Sequence, residues 1–478
     1  MQLTANLEEN RSKLYEIFPI STSYDLISRD LYLGKTKAFW LGINGFCKND
    51  LLQKIFADLQ DNSYTKDLTI ENLELFVASK IGYIQTELTN DWDVIIKNVL
   101  SGPSVLFLDG FSSAVILDTR SYPTRSVEEP DTERVSRGSK DGFVETIVFN
   151  TALIRRRIRS TKLCFEVMTA GTDTKTDIVI GYLNDLADPK LVETIREKIN
   201  SLCIPSLTMG SKSLEELIIK KRWFNLMPQI RYTERPDVAS SYLLEGYVIV
   251  LVDNTPTALV FPCNLFQFTQ NPEDYYQNPS VGNYLRFLRF GCILLSLFLL
   301  PCFLLMGIYQ SSLPKWLWLI TSEEVTKTQL FLYVLVIELG LDIFKYSSSN
   351  AASGLSNSLG LLGGLIIGDI AISLHWATLE VIFYAAVTML ATLSISSQEF
   401  GNAIRLYRLF LILLTGWFGL WGFIVATVLI LISIASTPSF AGKSYLWPLF
   451  PWNWTALKTL LFRYPTAKYE ITRHKRKE

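Results

Sequence analysis

Histidine is nearly absent from this chain: His375 and His474 are the only two in 478 residues. A serine triad in the soluble part and an H-E-x-x-H zinc helix are therefore excluded. No G-x-G-x-x-G or Walker A string occurs. Gly171-Thr-Asp-Thr-Lys-Thr ends like a phosphate loop but lacks its glycine spacing, and it reads as a turn entering a strand. The six cysteines (Cys47, Cys164, Cys203, Cys263, Cys292, Cys302) form no C-x-x-C pair and read as free thiols in a reducing cytoplasm. We expect no catalytic residue, no metal and no cofactor, and hence no enzyme. A net charge of -1 gives no reason to expect nucleic acid as a partner. Met1–Pro19 carries Glu8, Glu9 and Glu16 without an apolar h-region, so a secretory signal peptide is not expected.

Charge is scarce in one place. From Phe290 to Gly442 there are only twelve charged residues, whereas the chain up to Arg289 has the make-up of water-soluble α/β protein. The apolar fraction of 49% averages over this change of solvent and conceals it. A spanning helix needs about 20 apolar residues. Five segments are candidates: Phe290–Ile308, Leu330–Phe344, Leu355–Leu374, Leu379–Ser394 and Leu409–Ser436. Gly416, Gly419 and Gly422 in the last are spaced to let backbones approach. Arg405 and Arg408, between the fourth and fifth, read as an interfacial turn. Positive-inside bias puts Arg286, Arg289 and the tail Arg473, Lys475, Arg476 and Lys477 in the cytoplasm. Both ends inside requires an even number of crossings. Either one segment is re-entrant, with glycine-rich Leu355–Leu374 the first suspect, or the long last one folds back.

Carboxylates in such segments are costly unless they face protein or water. Glu338 and Asp342 stand at i, i+4 on one helix face, and Asp369 lies in another segment near Gly363, Gly364 and Gly368. Two readings remain open for them. Each acid is near an interface or bonded to a neighbouring helix, or together they line a polar pathway for ions, better formed by several copies around an axis.

The soluble part reads as two small α/β domains, residues 1–127 and 161–285, joined by residues 128–160. The helical multi-pass transmembrane domain then covers 286–442 and a basic cytoplasmic tail 443–478. In the first domain we expect a strand over 38–47 ending in an Asn-Gly turn, a helix over Leu51–Leu59, and a hairpin of Val105–Asp109 with Ala114–Asp118. In the second we expect strands at Leu163–Val167, Thr176–Leu183, Leu244–Asp253 and Pro256–Pro262. Helices are expected at Lys190–Ile199 and from Ser213. Strands alternating with helices favour a mixed or parallel sheet. The joining segment carries Glu128, Glu129 and Glu133, then Arg137, then a helix over Gly142–Arg159 with Asp141 as N-cap. Phe143, Ile147, Thr151, Ile154 and Ile158 form its apolar stripe. Arg155, Arg156 and Arg157 crowd its end. They are a solvated basic face, or they pair with an acidic loop of this chain or a neighbour, or they touch lipid phosphate.

The stretch from Glu128 to Arg157 resembles the signature of the GerA family, the A subunits of nutrient germination receptors in endospore-forming bacteria. The matching residues are Glu128, Pro130, Glu133, Arg137, Gly138, Gly142, Phe143, Glu145, Asn150 and Arg155–Arg157, with Lys175-Thr-Asp and Gly363–Gly368 as further blocks. Asp369 stands where the family pattern leads us to expect glutamine or another uncharged residue. The resemblance implies a multi-pass protein of the inner spore membrane with its N-terminal domains in the cytoplasm or spore core. It implies a homo-oligomeric, ion-conducting component of spore germination, with a small membrane partner protein and other germination proteins as partners besides the lipid bilayer. The alternative it leaves is a non-conducting, signal-transducing scaffold. Glu338, Asp342, Asp369, Gly363, Gly364 and Gly368 are the ion-pathway candidates. Glu128, Glu129, Glu133, Arg137, Arg155, Arg156 and Arg157 are the assembly or coupling candidates.

Overall fold

The computed structural model describes residues 2–47, 49–60, 73–81, 85–120, 135–219, 224–312, 314, 325–350, 373, 376–440 and 444–463. They fall into two compact units: residues 1–220 with 230–263, and residues 221–229 with 264–478.

The first unit holds two five-stranded sheets. Its elements begin α1 (Leu7–Ile17), β1 (Leu26–Leu33), β2 (Thr36–Ile43), α2 (Asn49–Gln60), α3 (Leu73–Lys80), β3 (Thr86–Thr89), α4 (Trp92–Ser101), β4 (Ser104–Leu108) and β5 (Ala114–Leu117). They continue α5 (Ile147–Arg157), β6 (Leu163–Ala170), β7 (Thr176–Leu183), α6 (Pro189–Asn200), α7 (Ser211–Ile218), β8 (Arg231–Thr233), α8 (Pro236–Leu244), β9 (Val248–Val252) and β10 (Ala258–Phe261). The strand orders are β1-β2-β4-β5-β3 and β6-β7-β9-β10-β8. Among the described elements both halves read αββααβαββ with the same sheet order, so one plan is used twice. Every ladder between the described strands is antiparallel, which corrects the expected mixed or parallel sheet. For four of the eight described ladders the reason is local. Short turns join β1 to β2, β4 to β5, β6 to β7 and β9 to β10, and a short turn can only reverse the chain.

Local chemistry places the helix ends. Asp91 caps α4 by accepting from the Asp93 amide at 3.1 Å. Asp188 does the same for α6 through Lys190 at 3.1 Å, with Pro189 at the first helical position. The arginine helix is shorter than expected: α5 starts at Ile147 with Thr146 as N-cap, because Asp141 is engaged elsewhere. Its apolar stripe is buried as the spacing requires. Leu244, expected in a strand, ends α8 instead, a helix that opens on Pro236.

A buried polar seam joins the two halves of this unit. Arg155 on α5 donates from Nε to Asp25, ahead of β1, at 2.7 Å, and both side chains are sealed from solvent. Its other nitrogens reach the carbonyls of Ser160 and Leu163 at 3.1 Å each. The Phe165 amide donates to Ser23 Oγ at 2.9 Å, and the Tyr24 amide to the Phe165 carbonyl at 2.9 Å. All three guanidinium nitrogens are thereby satisfied, which a buried cation requires.

The second unit contains α9 (Glu273–Tyr276), α10 (Pro279–Ile308), α11 (Lys327–Asn350), α12 (Leu379–Leu393), α13 (Gln398–Ala435) and α14 (Trp454–Leu461). Among the described residues, two of the five apolar segments lie in helices long and apolar enough to cross a bilayer, α10 and, counted across its kink at Gly419, α13. Leu330–Phe344 lies within α11, and Leu379–Ser394 is the shorter α12. Leu355–Leu374, except Ser373, lies outside the described residues.

Helix α13 is not one straight rod. Gly419 has φ 58° and ψ −134°, a conformation that side-chain-bearing residues avoid. The Tyr407 and Ser433 hydroxyls then meet at 2.7 Å. In a continuous helix the 26 residues between them would span about 39 Å. The chain therefore reverses at Gly419 into two antiparallel arms, 398–418 and 420–435. The long last segment folds back, one of the two alternatives left open by the sequence. The neighbouring glycines permit the close packing: a Cβ on Gly416 would sit 2.1 Å from the Phe331 ring, and one on Gly422 1.9 Å from the Leu414 carbonyl oxygen. Spin labels at positions 407 and 433 should report a short separation, under about 20 Å. A separation near the ~39 Å of a straight helix would show that the reversal is absent.

Candidate functional site

Four apolar helices meet at one cation. Arg408, on the first arm of α13, is buried, and so is Glu338 on α11. Arg408 Nε and Nη2 donate to Glu338 Oε1 at 2.8 and 2.6 Å. Nη1 donates to the Ser296 carbonyl on α10 at 2.7 Å, to Ser296 Oγ at 3.2 Å and to Thr392 Oγ1 on α12 at 3.1 Å. Ser296 and Thr392 share a further hydrogen bond of 2.7 Å. One guanidinium thus holds groups from α10, α11 and α12 while itself belonging to α13. Charge-assisted bonds of this kind are about twice as strong as neutral ones. Phe303, Leu304, Val334, Val381 and Ile412 pack around the four helices as their apolar core.

One helical turn on, Arg405 donates to Asp342 Oδ1, with Nε at 3.0 Å. The i, i+4 acids on α11 face the i, i+3 arginines on α13, so the two ion pairs form a short ladder. A small open cleft lies beside it and is lined by both pairs together with Lys345 and Thr392. Three cations and two anions line this cleft. The arginines are therefore not on an interfacial turn, as the sequence suggested. They lie inside α13, because the helix begins at Gln398, capped by Ser397, and not at Leu409. The two acids are bonded to a neighbouring helix, one of the two readings left open for them.

A second buried cation cluster marks the start of α10. Arg289 makes a two-pronged pair with Asp274 at 2.8 Å on each oxygen and also donates to the Thr269 carbonyl at 2.9 Å. Arg286 donates to the Leu460 carbonyl at the end of α14 at 2.8 Å, with its Nε 3.7 Å from Asp274.

The remaining sequence candidates separate. Arg155 is the intramolecular bolt described above. Arg157 donates to Asp141 at 2.6 Å, to Ser139 Oγ at 2.8 Å and to the Leu153 carbonyl at 2.8 Å. Arg156 and Arg137 are exposed on the first unit. Glu128, Glu129, Glu133, Gly363, Gly364, Gly368 and Asp369 lie outside the described residues. Among the described residues no group of His, Cys, Asp and Glu is arranged to hold a metal.

Two consequences are measurable. Burial pushes the Asp141 carboxyl up, but hydrogen bonds from Arg157 and Ser139 and the charge of Arg157 outweigh it and hold the group below its ordinary value. A carboxyl depressed on folding stabilises the folded state above its unfolded pKa of about 3.9 and loses that contribution as pH falls through the folded value. The melting temperature of the native chain should therefore exceed that of Asp141→Asn at about pH 7. The gap should narrow as pH falls below about 3.9 and through the lowered value, and a gap unchanged by acid would refute the assignment. Removing Arg155 leaves Asp25 buried without its cation. Arg155→Ala should cost the first unit ~3–5 kcal/mol, seen as early exposure of that unit to limited proteolysis.

The likeness in sequence to known proteins runs along most of the chain. The family model described as Bacillus/Clostridium GerA spore germination protein matches residues 13–475. Stage V sporulation protein AF of Bacillus subtilis (strain 168) is 37% identical over 94% of this chain and 90% of its own length. Spore germination protein B1 of the same organism is 28% identical over 98% of this chain and 96% of its own. The crystal structure of the N-terminal domain of the A subunit of the Bacillus megaterium spore germinant receptor GerK3 aligns at 27% identity and a TM-score of 0.42, covering 54% of this chain and 96% of that one. With a family model matching from residue 13 to residue 475, the chain belongs to the GerA family of spore germination proteins.

Proposed function

We propose that this protein is a multi-pass component of the inner spore membrane that, in several copies, lets ions leave the spore core during germination. It is not an enzyme on this reading. The observation that carries the proposal is the charged ladder of Glu338, Asp342, Arg405 and Arg408 with its cleft, inside an otherwise apolar helical unit. Charged groups at such depth face protein or water, and they commonly mark ion pathways.

Membrane placement is supported by two sets of exposed aromatic residues, one two turns into α10 and one at its C-terminal end. Phe287, near its start, lies beside Phe462, with Trp452 and Trp454 exposed just before. Tyr309, just past its end, accepts from the Leu420 amide at the Gly419 reversal, where Trp417, Phe418 and Trp421 are exposed. Phe287 and Tyr309 are about 33 Å apart by helical rise, close to the ~30 Å of a hydrocarbon core. Counted from Ser296, Arg408 lies about 13 Å from the first set and about 20 Å from the second. The ladder is then within the bilayer. The side of Arg286 and Arg289 is cytoplasmic, or spore core, by positive-inside bias.

In this reading Glu338 with Arg408 is the fixed strut and Asp342 with Arg405 and Lys345 the wet side of the pathway. The outer faces of α11 and α13 meet a second copy or the small membrane partner. Asp342→Asn should slow ion release from germinating spores at unchanged protein level, and wild-type release would remove Asp342 from the pathway. A second reading, a scaffold that conducts nothing, is favoured by the fact that both acids are already neutralised within one chain. Planar-bilayer reconstitution separates the two. Conductance supports the channel, and silence with an intact oligomer supports the scaffold. Arg156 is exposed on the first unit and is a candidate for assembly contacts. Arg156→Glu should shrink the detergent-extracted oligomer on size exclusion without affecting insertion, and an unchanged oligomer would exclude that role.

A further inference from the structure

We infer that α14 and the tryptophan-rich segment before it form a membrane-interface anchor, lying flat in the headgroup layer on the Arg286 side and favouring anionic phospholipid. The inference rests on the membrane reading above and extends it to a segment that cannot span. Eight residues of helix rise only about 12 Å. The sequence reading had placed this stretch in a basic tail.

Three observations carry it. The first is apolar exposure: Leu449, Phe450, Trp452, Trp454 and Phe462 are all exposed, Phe450 at 71% and Trp452 at 64%, while Ala456 and Leu457 turn inward. Large amphipathic aromatic rings are favoured at the bilayer interface. The second is level. Arg463 and Asn283 bond reciprocally, the Arg463 amide to Asn283 Oδ1 at 2.6 Å and Asn283 Nδ2 to the Arg463 carbonyl at 3.3 Å. Arg286 holds the end of α14, and the Phe287 and Phe462 rings meet edge-on at 5.4 Å. Gly282 leaves room for Arg463, since a Cβ there would lie 3.2 Å from the Arg463 Cδ. The anchor is thus fixed where α10 passes from polar to apolar sequence. The third is charge. Lys458 is exposed over the Trp454 ring at 5.1 Å. In the sequence that follows, residues 464–478, Lys468, Arg473, Lys475, Arg476 and Lys477 outnumber Glu470 and Glu478. Cations of this kind are attracted to an anionic surface. A second copy or another protein on this face would instead need a complementary apolar surface.

The test is photocrosslinking of the full chain in phosphatidylglycerol-containing vesicles, with benzoylphenylalanine replacing Trp452 in one variant and Ile432 in another. Ile432 is exposed on the second arm of α13, beside the Tyr407 contact. Phospholipid adducts at both positions are expected, with a several-fold lower yield at Trp452 when phosphatidylcholine replaces phosphatidylglycerol. Lipid adducts at Ile432 alone, with protein adducts or none at Trp452, would overturn the anchor and leave the membrane reading standing. No lipid adduct at either position would overturn both. Equal yields at Trp452 in the two lipids would overturn the preference for anionic headgroups.

Discussion

A guanidinium cannot be left unpaired in an apolar helical unit, and the arrangement of the four long helices follows from satisfying this one. Arg408 brings its charge on α13, and each of the three other helices supplies an acceptor: Glu338, the Ser296 carbonyl and hydroxyl, and the Thr392 hydroxyl. Shifting any helix by one residue would turn its acceptor away. Apolar packing alone tolerates such shifts, because leucine and isoleucine side chains exchange partners at little cost. The ion pair therefore acts through register more than through net stability, since desolvation consumes much of its Coulomb gain.

The same device appears at two further places. Arg155 fastens the duplicated halves of the first unit through Asp25, and Arg289 fastens the start of α10 through Asp274. In each case an arginine meets one carboxylate and nearby carbonyls. The planar fork suits several acceptors at once, which the point charge of a lysine would not. The contrast with Arg405 is useful. Its partner Asp342 remains partly accessible beside Lys345, and this is the part of the ladder best placed to meet water or an ion.

Much of this was legible along the chain. The hairpin strands and α6 followed from turn residues, short apolar runs and Asp188-Pro189. The length of the last segment and the need for an even number of crossings left a fold-back open, while Gly416, Gly419 and Gly422 signalled close backbone packing and not the turning point itself. Three things were not legible, for different reasons. Sheet direction and the repeated αββααβαββ plan depend on pairings between distant strands, and the two halves keep the plan without an obvious sequence repeat. The start of α5 was misjudged because Asp141, a good capping residue, is taken by Arg157 from the far end of the helix. The depth of Arg405 and Arg408 was misread because a hydropathy profile stops at arginine. The missing signal was charge balance: two acids at i, i+4 in one apolar segment call for two cations in another, and Arg405 and Arg408 were the available pair. Helix α8 was overlooked although Pro236 stands at its first position.

The central claim is that Arg408 and Glu338 act as one unit in holding the helices together. A double-mutant cycle on the detergent-solubilised full chain, with Arg408→Gln, Glu338→Gln and both together, measures this through thermal stability. Strong coupling is predicted: each single change should cost ~3–5 kcal/mol by stranding its partner, and the double variant should be clearly less damaged than their sum. Additive losses, or single changes without effect, would contradict the account.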